Sequence, residues 1–241
     1  MAKNDKPNVL FISFDDMNHY VGFLDRAPNA VTPHMNRLAE RSTVFERGYC
    51  QAPICNPSRA SLMSGLRPST TGVYNNRQPL RFSDAGKDCV TLPQHFQQNG
   101  YFATGSGKVY HGKFPDPMSW DSYMPSPFQQ GYKGARPDHL PVNGMESMGN
   151  LDWGPMDVAD EEMGDSKSVS YCVEQLQAEH DKPFFLTCGF TSTHLRWHAP
   201  RKYIEQYNLD DIELPETFAN DLDDVSEVGR KWANRGPHKR I

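Results

Sequence analysis

Apolar positions run almost unbroken through Asn8-Val9-Leu10-Phe11-Ile12-Ser13-Phe14 and stop at Asp15-Asp16. The run is too short for a helix, which predicts a strand buried on both faces of a parallel sheet. Thr32-Pro33 has the form of an N-cap with proline at the first helical position, and Met35, Leu38 and Ala39 give a short helix its buried stripe. Val44 to Tyr49 is a weaker strand candidate. Asn56-Pro57 repeats the cap-plus-proline pattern, so a helix is expected over Ser58 to Met63 with its N-terminus beside Cys55. Thr91-Leu92-Pro93 opens another, closed by Asn99-Gly100.

Two further strands follow. Tyr101-Phe102-Ala103-Thr104 leads into Gly105-Ser106-Gly107-Lys108, and Phe184-Phe185-Leu186-Thr187-Cys188 leads towards His194. Before the last strand, Asp165 is placed to cap a helix that carries Val169, Cys172, Val173 and Leu176 on one face and crosses back over the sheet. Strand, helix and strand in this order predict an α/β fold. Gly112 to Gly164 is rich in Pro, Gly and Met without steady periodicity and reads as a long irregular excursion, of the kind that shapes a substrate pocket. From Asn208 onward the chain is polar and acidic, then basic at Lys239-Arg240, and it completes no periodic element. Residues 1–241 are therefore expected to be one partial domain. No internal repeat or low-complexity segment is visible.

Composition narrows the function. The 241 residues carry a formal net charge of −5 with both signs interspersed, so there is no basic face of the kind nucleic acid attracts. No apolar stretch approaches the roughly 20 residues needed to cross a bilayer. The start, Met1-Ala2-Lys3-Asn4-Asp5-Lys6, lacks a signal peptide's apolar core. As written, the protein is expected in the cytoplasm without a membrane partner; an altered native N-terminus would allow a periplasmic or secreted one. The five cysteines, Cys50, Cys55, Cys89, Cys172 and Cys188, form no CxxC pair, which argues against a disulfide framework or a zinc ribbon.

In open α/β sheets the working residues lie beyond the carboxyl ends of the strands. The three strands deliver Asp15 and Asp16, then Lys108 and His111, then His194. Adjacent carboxylates in a cleft are costly to hold together unless a cation lies between them, and an all-oxygen set suits calcium or, less well, magnesium. The same pair can equally cap the strand and open a loop, since Asp is a common turn residue. Cys55 is read either as a small buried apolar residue or as part of an anion-handling site. In the second reading the neighbouring helix N-terminus offers unpaired N–H groups, and Arg59, one turn on, offers a planar fork for sulfate or phosphate oxygens. A thiolate enzyme, with Cys55 as nucleophile and His111 or His194 as base, fits the same residues. His34, His95 and His198 are assigned structural roles.

Cys55-Asn56-Pro57-Ser58-Arg59, continued by Ala60-Ser61-Leu62-Met63-Ser64-Gly65-Leu66-Arg67-Pro68, resembles the Cys-x-Pro-x-Arg motif of the formylglycine-dependent sulfatases. Pro7 to Ile12 ending in Asp15-Asp16, and Thr32 to Ala39, are similar to the opening of that family. Gly107-Lys108-Val109-Tyr110-His111 and Gly189-Phe190 followed by His194 resemble its iduronate-2-sulfatase branch. The resemblance spans Pro7 to about Pro215 and implies an alkaline-phosphatase-like fold, with a mostly parallel central sheet flanked by helices and incomplete at the C-terminus. It also implies oxidation of Cys55 to formylglycine by a separate maturation enzyme. The expected activity is removal of sulfate from a sulfated carbohydrate, with calcium held by Asp15, Asp16 and the modified Cys55. His194 would protonate the leaving oxygen, His111 would take the proton whose loss expels sulfate, and Arg59 and Lys108 would neutralise charge. The family's chains are roughly twice as long, and their later half supplies further metal ligands. On these residues alone the chain is expected to be inactive or barely active. A phosphate or phosphonate ester hydrolase of the same superfamily and a truncated non-catalytic module are the alternatives.

Overall fold

The computed structural model describes residues 6–27, 29–125, 131–145, 151–214, 216 and 218–234. Its regular elements are β1 (Val9–Phe14), α1 (Pro33–Ala39), α2 (Cys55–Ser64), α3 (Pro68–Thr71), α4 (Leu92–Gln98), β2 (Phe102–Gly107), β3 (Ser122–Met124), β4 (Trp153–Met156), α5 (Gly164–Gln177), β5 (Phe184–Phe190), β6 (Trp197–Pro200), α6 (Arg201–Ile204) and α7 (Glu227–Ala233). A parallel sheet runs in the order β1-β5-β2-β3, and β4 and β6 form a second, two-stranded parallel pair. The α/β expectation holds. Among the described residues no helix is long and apolar enough to cross a membrane.

β5 is the central strand, and its period-2 alternation divides the core. On one face Phe185 packs with Met63 of α2, Tyr101, Ala103 and Phe96 of α4, and Val9 and Phe11 of β1 lie against the same cluster. Phe96 stacks on Phe185 with ring centroids 4.3 Å apart. On the other face Phe184, Leu186 and Cys188 lie under Tyr171 and Cys172 of α5. Burying Phe185 and Leu186 stabilises the domain by about 2 to 3 kcal/mol each on area grounds.

Several sequence expectations are corrected. Among the described residues β1 is an edge strand, and of its apolar side chains Val9 and Phe11 pack against the core while Leu10 and Ile12 remain 45% exposed. A run without alternation cannot tell which neighbour a strand will lack. In α5 the buried stripe is Ser168, Tyr171 and Cys172, while Val169, Val173 and Leu176 point away from β5 and are exposed. Asp165 is not its cap, because Met163 holds that position. The stripe of α1 is not buried, and Thr32 makes no capping bond; its hydroxyl accepts from Gly22 N–H and donates to Asn36. Val44 to Tyr49 forms no strand, for it meets no sheet edge and Phe45 and Tyr49 stand in solvent.

The excursion from 112 to 164 contains β3, which extends the main sheet, and β4, as well as turns. Residues 126–130 and 146–150 of it, with Pro215, Lys239-Arg240 and the first five residues, lie outside the described residues. α4 begins as read, with Thr91 N–H donating to Gln94 Oε1 at 3.0 Å.

Register sets the site. Phe14 pairs with Phe190 and Gly107 with Gly189, so three strands end in line. Asp15 N–H donates to Phe190 O and Lys108 N–H to Gly189 O, carrying the sheet's bonding into the chain that follows. Gly107 has φ +84°, and a Cβ there would overlap the Gly189 carbonyl, so only glycine permits this approach.

Candidate active site

α2 begins at Cys55 itself, with the extended Ile54 at the N-cap position, two residues before the expected Asn56 cap. Asn56 is instead buried and pinned, its N–H donating to Asn76 Oδ1 (2.8 Å) and its side-chain amide to Asn75 O and Gln78 O. Pro57 suits the first helical turn because it has no N–H to leave unpaired. Gly65, at φ +71°, closes the helix. Cys55 is thereby fixed at a helix N-terminus, half-buried, while Arg59 one turn later turns inward.

Asp15 is the hub of the cluster. Its Oδ1 accepts from Arg59 Nη2 at 2.8 Å, and its Oδ2 is in contact with the Lys108 ammonium. All three side chains are at most 7% exposed. Burial alone would raise the Asp15 carboxyl, but the hydrogen bonds and charges of Lys108 and Arg59 prevail and hold it below the usual carboxylate range. Arg59 Nη1 also donates to the Lys108 and Val109 carbonyls at 2.5 and 3.0 Å. Lys108 Nζ lies 3.8 Å from Cys55 Sγ. Lys108 thus stands beside the Cys55 side chain, and Lys108 and Arg59 share one carboxylate, Asp15.

His194 is carried on the loop after β5. Its Nδ1 is 2.7 Å from Leu195 O, which assigns the proton to Nδ1 and leaves Nε2 towards Asp16 Oδ2 at 3.6 Å. Ligand atoms of Asp15, Cys55 and His194 all lie within 4.8 Å of one another. Asp16 stands outside that group, at φ +55° with its side chain 62% exposed. His111 is depressed in pKa by burial first and then by Lys108 and Arg59, and its Nδ1 is buried with no partner among the described residues.

Two residues that sequence reasoning missed hold the loop. Thr193 Oγ1 donates to Asp15 O at 2.5 Å, and Asp165, read as a cap, accepts from Thr191 N–H and Ser192 N–H at 2.9 and 2.7 Å. Only tertiary contact reveals either role. His198 is structural as expected, with Nε2 2.9 Å from the buried Asp152.

A parallel α/β sheet whose strand ends converge on a helix N-terminus, with two cations sharing a carboxylate, defines an alkaline-phosphatase-like domain. A solved structure of a protein in complex with its substrate D-glucosamine-2-N,6-O-disulfate shares this fold. It has a TM-score of 0.62 and 20% identity over 92% of this chain and 41% of its own.

The sulfatase profile matches residues 7–228, and the chain belongs to the sulfatase family. A sulfatase of Formosa agariphila is 34% identical over 98% of this chain and 51% of its own length. Human iduronate 2-sulfatase is 28% identical over 88% of this chain and 40% of its own. The chain spans about half the length or less of these relatives.

Proposed function

We propose that this chain forms the nucleophile-bearing half of a sulfuric ester hydrolase acting on sulfated carbohydrate, with Cys55 converted to formylglycine by a maturation enzyme. The observation that carries the reading is the position of Cys55: at the first residue of α2, inside Cys-x-Pro-x-Arg, with Lys108 Nζ 3.8 Å from its sulfur.

The residues present fit a hard divalent cation. Asp15 is buried and held ionised, and the Cys55 position becomes an oxygen donor once oxidised; Asp16, next to Asp15 in sequence, stands exposed with its carboxylate towards His194 and would have to turn inward to join them. We assign Asp15, Asp16 and the modified Cys55 as holders of calcium in preference to magnesium. When bound, the ion supplies Lewis-acid activation of the nucleophile's oxygen. Lys108 and Arg59 neutralise charge on the sulfuryl oxygens and on the nucleophile, in a dry site where such interactions are strong. His194, once Nε2 carries a proton in addition to the one Nδ1 directs at Leu195 O, gives that Nε2 proton to the departing alcohol oxygen. His111, kept neutral by burial and by the two cations, accepts the proton whose loss releases sulfate. The excursion over 112–164 is assigned to shaping the substrate pocket.

Mass spectrometry of the Cys55 peptide from protein made beside a maturation enzyme tests the reading. The expected result is the loss of mass that accompanies conversion of thiol to aldehyde. An intact thiol, together with hydrolysis of aryl phosphate in preference to aryl sulfate, would overturn it.

A further inference from the structure

While Cys55 keeps its thiol, the cluster beyond the strand ends offers three unlike donors: a carboxylate oxygen of Asp15, the Cys55 sulfur and a ring nitrogen of His194. All lie within 4.8 Å of one another, and among the described residues no other three acidic, cysteine or histidine side chains converge in this way. Asp16 is outside the group. Sulfur with imidazole suits zinc-type ions, whereas calcium and magnesium take oxygen. The donors of the thiol form are therefore unlike the all-oxygen set of the oxidised form.

The geometry is close to what such an ion needs. Tetrahedral zinc sets neighbouring donors about 3.3 to 3.6 Å apart, from bonds of about 2.0 Å to nitrogen and oxygen and about 2.3 Å to sulfur. Closing from 4.8 Å takes movements of roughly 1 Å, within reach of the loop-borne His194 side chain, which is 36% exposed.

The surroundings hold the donors ready. His194 Nδ1, 2.7 Å from Leu195 O, is committed to that carbonyl and leaves Nε2 for a metal; zinc-bound histidines commonly anchor their second nitrogen in this way. Asp15 is fixed by Arg59 and Lys108, yet each carboxylate oxygen keeps a second lone pair. Those two cations already draw on the Asp15 charge. The Cys55 thiolate, and Asp16 with Oδ2 3.6 Å from His194 Nε2, supply further negative charge for a dication. Three protein ligands leave a fourth position to water.

We propose that the chain in its thiol form binds one zinc-type ion through Asp15, Cys55 and His194. Binding forms a metal–sulfur bond and releases the thiol proton to solvent. The ion then occupies the sulfur that a maturation enzyme must oxidise, so metal and conversion exclude each other; only this last consequence rests on the sulfatase reading. Cobalt(II) is the probe, since it takes zinc's ligands and shows a thiolate-to-metal charge-transfer band in the near ultraviolet. Added to the reduced chain, it is expected to saturate that band at one equivalent, and zinc is expected to abolish it. Cys55→Ser should lose the band, and His194→Gln should weaken cobalt binding at least about tenfold. Cys50→Ser, which removes an exposed thiol, should change neither. A band that survives in Cys55→Ser or vanishes in Cys50→Ser, binding as tight in folded His194→Gln as in the parent, or calcium displacing cobalt at equal concentration would overturn the proposal. Mass spectrometry of the Cys55 peptide judges the sulfatase reading separately: a thiol that is never oxidised sinks that reading and leaves the zinc site standing.

Discussion

Replacing Asp15 by Asn removes the charge that Arg59 and Lys108 share while keeping the shape of the side chain. The two cations are not equally exposed to the loss. Arg59 retains its bonds to the Lys108 and Val109 carbonyls, whereas the Lys108 ammonium keeps only Cys55 Sγ, at 3.8 Å, as a partner among the described residues outside position 15. With the Lys108 side chain only 5% exposed, solvent cannot replace the missing carboxylate. Stranding one partner of a buried pair costs about 3 to 5 kcal/mol. For a domain of this size that is a fall in Tm of roughly 6 to 20 °C at 2 to 4 °C per kcal/mol. Calorimetry in chelator, with Asp15→Asn, Lys108→Met and the double variant, separates the contributions. The double variant should be more stable than Asp15→Asn alone, because it no longer buries a stranded ammonium. A drop below about 2 °C for Asp15→Asn, or a double variant no better than that single one, would refute the account of Asp15 as hub.

The pH dependence follows from the same cluster. Asp15 is held below its ordinary pKa, so its contribution is complete above the unfolded value, near about 4, and is lost as pH falls through the lower folded value. His111 is also depressed, so its contribution is present above about 6.5 and declines as pH falls through its folded value; an NMR titration midpoint at or above 6.5 would contradict this. Gly107→Ala should destabilise by more than about 1 kcal/mol, since φ is +84° and the added carbon meets the Gly189 carbonyl; denaturant unfolding measures it. Finally, desulfation of an aryl sulfate by the 241-residue chain should fall far below that of a full-length relative, because calcium wants about six to eight oxygen ligands and Asp15, Asp16 and modified Cys55 supply too few; equal rates would sink that expectation.

Strands β1 and β5 were legible as short apolar runs bounded by polar residues, and β2 through Phe102-Ala103-Thr104, although its last three residues, Gly105 to Gly107, carry no apolar signal; the chemistry was legible because it sits just past the strand ends. α2 was legible through Pro57, although the pattern placed its cap and start two residues late. Depth was not legible. Leu10 and Ile12 have the same composition as buried strand residues, and only the order β1-β5-β2-β3 shows that they lie at an edge. The short β3 carries no signal of its own and exists because β2 offers it an edge. Within the site, Lys108 and His111 were found by position, while the pairing of Lys108 with Asp15, and the anchoring by Thr193 and Asp165, arise from segments dozens of residues apart.

The open flank of β1 has a practical consequence. Leu10, Ile12 and Phe14 present apolar side chains on a strand that has a single neighbour among the described residues. Unguarded edges of this kind promote pairing between copies. Preparations of the chain should therefore become turbid with rising concentration, and a lysine at position 10 or 12 should keep them clear. The surface that decides how the protein behaves in a tube is thus the strand that ends in Asp15, so any solubilising change on β1 acts only a few residues from the chemistry.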